Sequence, residues 1–238
     1  MREPFFDNAA VSLTDKGLFH LRIDTARPLS ASLIDDLSGL CDRIEDIADR
    51  ADNPVVTLHL SDRDSAVPNL SWPGEVGIRL VNKWEQILRR LERLAAVTIA
   101  VAEDRCGGPA LEVLLSCDYR IGTSGLRLKP PVYNGGLWPG MIVHRLANQL
   151  GSTRARHLVL FGSDVSATQA IQLGLIDDAV DDPATAVATV AKSVAGLTGS
   201  ELAIRRRLLL DATTTSFEEA LGAHLAACDR ALRRAQAS

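Results

Sequence analysis

No basic run stands out in this 238-residue sequence, whose 26 lysines and arginines against 30 acidic residues give a formal net charge of -4. That removes the electrostatic footprint of a nucleic-acid binder or of a protein held on an anionic membrane surface. Cysteine is sparse: Cys41, Cys106, Cys117 and Cys228 stand apart without C-x-x-C spacing, and residues 1–7 lack the apolar stretch of a secretory signal. The expectation is a cytoplasmic protein with reduced thiols. His20, His59, His144, His157 and His224 form no spaced ligand set, nor do the cysteines, so no metal site is expected. No apolar run approaches the roughly 20 residues of a membrane-spanning helix. A soluble protein with neither nucleic-acid nor membrane partners is anticipated.

What the chain does have is apolar material, 46% of its residues, enough for one substantial core. Residues 11–13 and 17–23 alternate around Asp15, Lys16 and Gly17, the pattern of a hairpin. Ser30 is placed to cap a helix whose apolar positions Leu33, Leu37, Leu40, Ile44 and Ile47 recur at helical spacing. A strand returns at 55–60, a helix follows around 78–94 and a further strand at 97–101. That βαβ series makes the fold class α/β. Helical patterns around 187–194, 201–210 and 217–235 close the sequence, separated by Gly and Thr clusters.

The most informative stretch is 101–118, V-A-E-D-R-C-G-G-P-A-L-E-V-L-L-S-C-D. After the β-branched strand, Gly107 and Gly108 turn the chain and Pro109 suits a first helical position, which puts Glu112 in the first helical turn. A helix start offers unpaired N–H groups and a positive dipole end, so it can hold a developing oxyanion while a nearby carboxylate moves a proton. The plainer role for Glu112 is to stabilise that helix end, worth about 0.3–1 kcal/mol.

This segment resembles the glycine loop and catalytic-glutamate helix of the enoyl-CoA hydratase/isomerase (crotonase) superfamily. Further matches follow in order: Trp138-Pro139-Gly140 at the family's I-P-G turn, residues 151–162 at its G-x-x-x-A-x-x-L-x-L-x-G helix, and residues 166–176 at its A-x-x-A-x-x-x-G-L-V element. Together they cover roughly residues 10 to 230. The resemblance implies a crotonase-like spiral of ββα units over residues 1–180, followed by a helical trimerisation region at 181–238. It implies an acyl-CoA thioester substrate, with coenzyme A part of the substrate rather than a separate cofactor. It also implies a homo-oligomer, a trimer or a hexamer.

Carried over residue by residue, the resemblance makes Glu112 the first of the two catalytic glutamates. The second falls on Val132, which can neither donate nor accept a proton, and leaves Tyr133 and Asn134 as the nearest polar groups. One oxyanion donor falls on Pro109, which has no N–H, so Gly108 or Ala110 must substitute. The other falls at Ala66. Trp138 and Gly140 complete the expected substrate-binding set. Asp118 reads as structural, and His59 and His157 as satisfied histidines. Lys83, Arg89, Arg90 and Arg93 read as a solvated basic face, or as a source of one or two contacts to coenzyme A phosphates; Arg154 and Arg156 carry the same two readings. By the same resemblance, the last family helix, which can close over the coenzyme, is expected to be cut short, the sequence stopping at Ser238.

Within the superfamily, C-G-G-P-A-L-E and W-P-G-M-x-x-x-R-L-A-N-Q-x-G most closely resemble the small crotonases that accompany a type III polyketide synthase making 3,5-dihydroxyphenylacetyl-CoA, the dihydroxyphenylglycine precursor. The leading expectation is therefore a dehydratase that assists such a synthase. The alternatives are a non-catalytic helper that binds the synthase or its product, and an enoyl-CoA isomerase needing one acid.

Overall fold

The computed structural model describes residues 11–13, 18–24, 28–48, 55–61, 72–194 and 199–237. Strands β1 (Val11–Leu13) and β2 (Leu18–Asp24) pair antiparallel as the expected hairpin. Helix α1 (Ala31–Ala48) begins where Ser30 Oγ accepts the N–H of Leu33 at 3.3 Å. Strand β3 (Val55–Ser61), helix α2 (Ile78–Leu91) and strand β4 (Val97–Glu103) complete the βαβ series. A reversal at Asp104, whose φ is 52°, leads into β5 (Arg105–Gly107) and then α3 (Gly108–Leu115). The turn therefore precedes the glycine pair, and Gly107 is strand.

β6 (Tyr119–Thr123), β7 (Arg127–Lys129) and the two-residue strands β8 (Val132–Tyr133) and β9 (Gly136–Leu137) lead to α4 (Met141–Phe161). Gly151, with φ 76° and ψ 152°, splits α4, so the motif at 151–162 forms its second half. β10 (Val165–Ser166), α5 (Ala167–Leu173), β11 (Asp178–Val180), α6 (Pro183–Ser193), α7 (Gly199–Asp211) and α8 (Phe217–Ala237) follow. Ser166 and Gln169 form a reciprocal capping box at the start of α5.

The main sheet has the order β1-β2-β3-β4-β6-β11, parallel from β2 onward, and a smaller sheet runs β10-β7-β5. Side chains alternate across a strand, so β3 and β4 feed two apolar clusters. Val56, Leu58, Leu60, Ala100 and Ala102 pack with Leu37, Leu40 and Ile44 of α1 and Trp84, Leu88 and Leu91 of α2. Val55, Val97, Ile99 and Val101 on the other face pack against Val187 and Val190 of α6. Strands covered on both faces read as continuous apolar runs, which is why 97–101 is apolar apart from Thr98.

Asp118 does what its sequence position suggests and ties elements together. Its Oδ2 accepts the Thr98 N–H at 2.8 Å, and its carboxylate receives the buried Arg206 of α7 at 3.0 and 2.5 Å. Arg206 also donates to the carbonyls of Leu94 and Ala96. The basic residues of α2 differ from a uniformly solvated face. Arg90 clamps α2 to α1 through Asp42 and Glu45 at 2.6 and 2.5 Å, and the exposed Arg89 pairs with Glu92, while Lys83 and, just past the helix, Arg93 are also exposed. Among the described residues no helix is long and apolar enough to cross a membrane.

Candidate active site

Glu112 is the fifth residue of α3, because the helix starts at Gly108, one residue before Pro109. It therefore lies just beyond the first turn, and its side chain does not serve as the helix-end charge. The carboxylate is fully buried, between two tryptophans. Trp72 donates its indole N–H to Oε1 at 3.0 Å and Trp84 donates to Oε2 at 2.6 Å. The two rings meet edge to face with centroids 5.6 Å apart. Buried tryptophan requires an acceptor for its N–H, and a buried carboxylate requires donors, so each satisfies the other.

Burial pushes the Glu112 carboxyl up from 4.5 to about 7. The hydrogen bond from Trp84 opposes that rise, the charge of Glu85 adds to it, and Trp72 and Arg145 oppose it. Each carboxylate oxygen has a second lone pair beyond the one used by an indole, so the group can still accept or return a proton. A carboxyl that titrates near neutrality is suited to both.

α2 joins this group to the W-P-G turn. Glu85, next to Trp84, accepts the Met141 N–H through Oε1 at 3.1 Å and pairs with Arg145 through Oε2 at 2.9 Å. Arg145 Nε reaches Glu92 Oε1 at 2.7 Å. Gly140 caps the start of α4 beneath Trp138: a Cβ there would lie 2.3 Å from the indole nitrogen. Trp138 in turn meets Tyr133 edge to face, centroids 5.5 Å apart. The structure thus gathers Tyr133, Trp138 and Gly140 into one group on the far side of Glu85.

Val132 and Tyr133 are 40% and 39% exposed on the β8–β9 hairpin, so the vacant acid position is a surface position. Gly108, at φ 50°, is half-buried, whereas Ala110 is fully buried; both N–H groups belong to the first helical turn, where no intrahelical carbonyl reaches them. Ala66 lies outside the described residues. His59 is half-buried and faces His20 with ring centroids at 5.6 Å, and His157, Arg154 and Arg156 are exposed on the second half of α4. Among the described residues no cluster of His, Cys, Asp or Glu is arranged to hold a metal.

Residues 79–237 match the family model described as Enoyl-CoA hydratase/isomerase. The chain belongs to the enoyl-CoA hydratase/isomerase family. An "Enoyl-CoA-hydratase" of Amycolatopsis orientalis is 48% identical over 214 residues, covering 90% of this chain and 95% of that protein. The fold is shared with more distant relatives of known structure. An enoyl-CoA hydratase of Mycobacterium smegmatis superposes with a TM-score of 0.79 at 17% identity, over 93% of this chain and 90% of the other. An enoyl-CoA hydratase/isomerase family protein of Silicibacter pomeroyi gives 0.76 at 19% identity, over 94% and 98%.

As a member of this family the chain has a site with features its motifs did not announce. Trp84 reads as one more apolar residue on the core face of α2, and Trp72 follows a segment with no regular pattern. Arg145 lies inside the quoted W-P-G-M-x-x-x-R run without a role attached. The available signal was scarcity: the chain has three tryptophans, and two of them converge on the acid.

Proposed function

We propose that the protein is an acyl-CoA dehydratase in which Glu112 is the single proton-transfer group, assisting a type III polyketide synthase in forming 3,5-dihydroxyphenylacetyl-CoA or a related aromatic thioester. The observation that carries this reading is a lone buried carboxyl titrating near pH 7. With one acid, the same group must act twice. As carboxylate, Glu112 takes the α-proton of a β-hydroxy thioester, and the electron pair moves into the thioester carbonyl. As carboxylic acid, it returns that proton to the departing β-hydroxyl, so enoyl thioester and water leave and Glu112 is regenerated. A pKa near the working pH keeps both forms accessible, and incipient aromaticity lowers the demand on the missing second acid.

Gly108 is the better replacement for the donor lost at Pro109, since its N–H lies at a half-buried position and that of Ala110 does not. Glu112 has no exposed surface, so a substrate reaches it only when a neighbour moves; Trp72, which belongs to no helix or strand, is the neighbour least constrained by regular structure. Lys83 of α2 and Arg93, just past its end, are exposed and open to coenzyme A phosphates. Phe217, Leu221, Leu225 and Leu232 expose an apolar face on α8, which supports assembly as a trimer or a dimer of trimers. The synthase role rests on the resemblance of the two quoted motifs, and the hydratase name of the Amycolatopsis relative supports only the thioester chemistry.

The same closed carboxylate also favours a second reading, a helper that binds the synthase or its thioester without turnover, because both Glu112 oxygens already hold indole partners. Reconstitution separates the two. A type III synthase is supplied with malonyl-CoA alone, with wild-type protein, or with Glu112→Gln. Aromatic thioester yield raised by wild type and not by a folded Gln variant supports the dehydratase; equal stimulation by both supports the helper. No effect from either removes the synthase assignment.

A further inference from the structure

We infer that Glu85 and Arg145 are positioning residues for Glu112: their ion pair locks the first turn of α4 onto α2 and so holds the Trp84 indole against the Glu112 carboxylate. The inference rests on Glu112 being the proton-transfer group proposed above.

Glu85 uses both oxygens on α4, one on the Met141 N–H and one on Arg145. Those two residues flank the first turn of α4, so the contacts fix that helix against α2 in both translation and rotation. Trp84 precedes Glu85, and any turn of α2 about its axis that relaxes the Glu85 contacts also swings the indole away from Oε2. Arg145 is only 6% exposed and is held at a second point by Glu92, which also pairs with Arg89. The result is a run of alternating charge, Arg89, Glu92, Arg145 and Glu85, with two cations matching two anions.

Balanced charge matters here beyond packing. The charged groups that act on Glu112 are Glu85 of α2 and Arg145 of α4, with opposite signs, and the remaining partners are the neutral indoles of Trp72 and Trp84. The pair is therefore placed to set both the orientation and the charge environment of the acid. A substituted Arg145 leaves Glu85 uncompensated beside Glu112; a substituted Glu85 leaves Arg145 uncompensated. Charge alone pushes the two variants in opposite directions, whereas a loosened Trp84 bond raises Glu112 in both.

The test is a pH titration of intrinsic tryptophan fluorescence on the full chain, since two of its indoles are bonded to the titrating carboxyl. Wild type is expected to show an inflection that Glu112→Gln lacks. Arg145→Gln should move it to higher pH, the lost cation and the loosened Trp84 bond acting together, and Glu85→Gln should move it higher by less, because the loosened bond outweighs the lost Glu85 charge, with Arg145→Lys restoring it toward wild type. A Glu85→Gln inflection at or below the wild-type pH overturns the inference, and that variant alone decides it should Arg145→Gln not fold. On a β-hydroxy thioester, Arg145→Gln should lose up to about 10²-fold in kcat with little change in KM. Full activity in Glu112→Gln would remove the catalytic reading, while the fluorescence shifts would still decide the roles of Glu85 and Arg145.

Discussion

Trp84 donates its indole N–H to Oε2 of Glu112 across 2.6 Å, from a helix 28 residues earlier in the chain. That bond favours the ionised carboxyl, while burial favours the neutral one. Replacing Trp84 with Phe keeps an aromatic ring and removes the donor, so Glu112 should titrate above its wild-type value. The acid limb of the rate profile should move to higher pH, and stability should fall by about 1.5–3 kcal/mol, the worth of a hydrogen bond to a charged group. Rate profiles and denaturant melts of Trp84→Phe check both.

Glu112 also links stability to pH. Its folded value, about 7, lies above the ordinary 4.5, so between those limits the folded protein holds a proton that the unfolded chain releases. Stability from this group therefore falls as pH rises from 4.5 to 7, and the full penalty, about 3 kcal/mol, is present above 7. Melting temperatures of wild type and Glu112→Gln, measured from pH 5 to pH 8, should converge or cross as pH rises. A constant gap across that range contradicts the shift.

Arg206 carries the docking of α7, with Asp118, Leu94 and Ala96 as its acceptors. Arg206→Met leaves the Leu94 and Ala96 carbonyls without their donor and should cost about 1–3 kcal/mol. The loss should appear as early proteolytic cleavage within the C-terminal helices, read by limited digestion and mass spectrometry.

Of the glycines where a methyl group does not fit, Gly107 and Gly140 lie nearest the site. A Cβ on Gly107 would meet the Lys129 carbonyl at 2.9 Å, so Gly107→Ala should destabilise the β5–β7 pairing just before the Glu112 helix by about 1–3 kcal/mol. Gly140→Ala should displace Trp138 from Tyr133 instead, a change visible in near-ultraviolet circular dichroism.

Much of the framework was readable locally. The hairpin, the Ser30 cap and the strand-helix-strand series follow from period, caps and turns, and each lies where its pattern puts it. The site was less so. Glu112 lies one position deeper than the proline implied, because α3 begins at Gly108 rather than at Pro109. Trp72 and Trp84 reach the acid from 40 and 28 residues away, a convergence no local period encodes. Arg90 belongs to the α1–α2 brace for a similar reason: its partners, Asp42 and Glu45, are nearby only after folding.

The central claim is that Glu112 moves the proton in an acyl-CoA reaction. Its most direct test is dehydration of an isolated β-hydroxyacyl-CoA by wild type and by Glu112→Gln, followed through the absorbance of the enoyl thioester. Turnover by wild type, with a loss of about 10²-fold or more in the folded Gln variant, is the predicted result. Equal rates in the two proteins would contradict it.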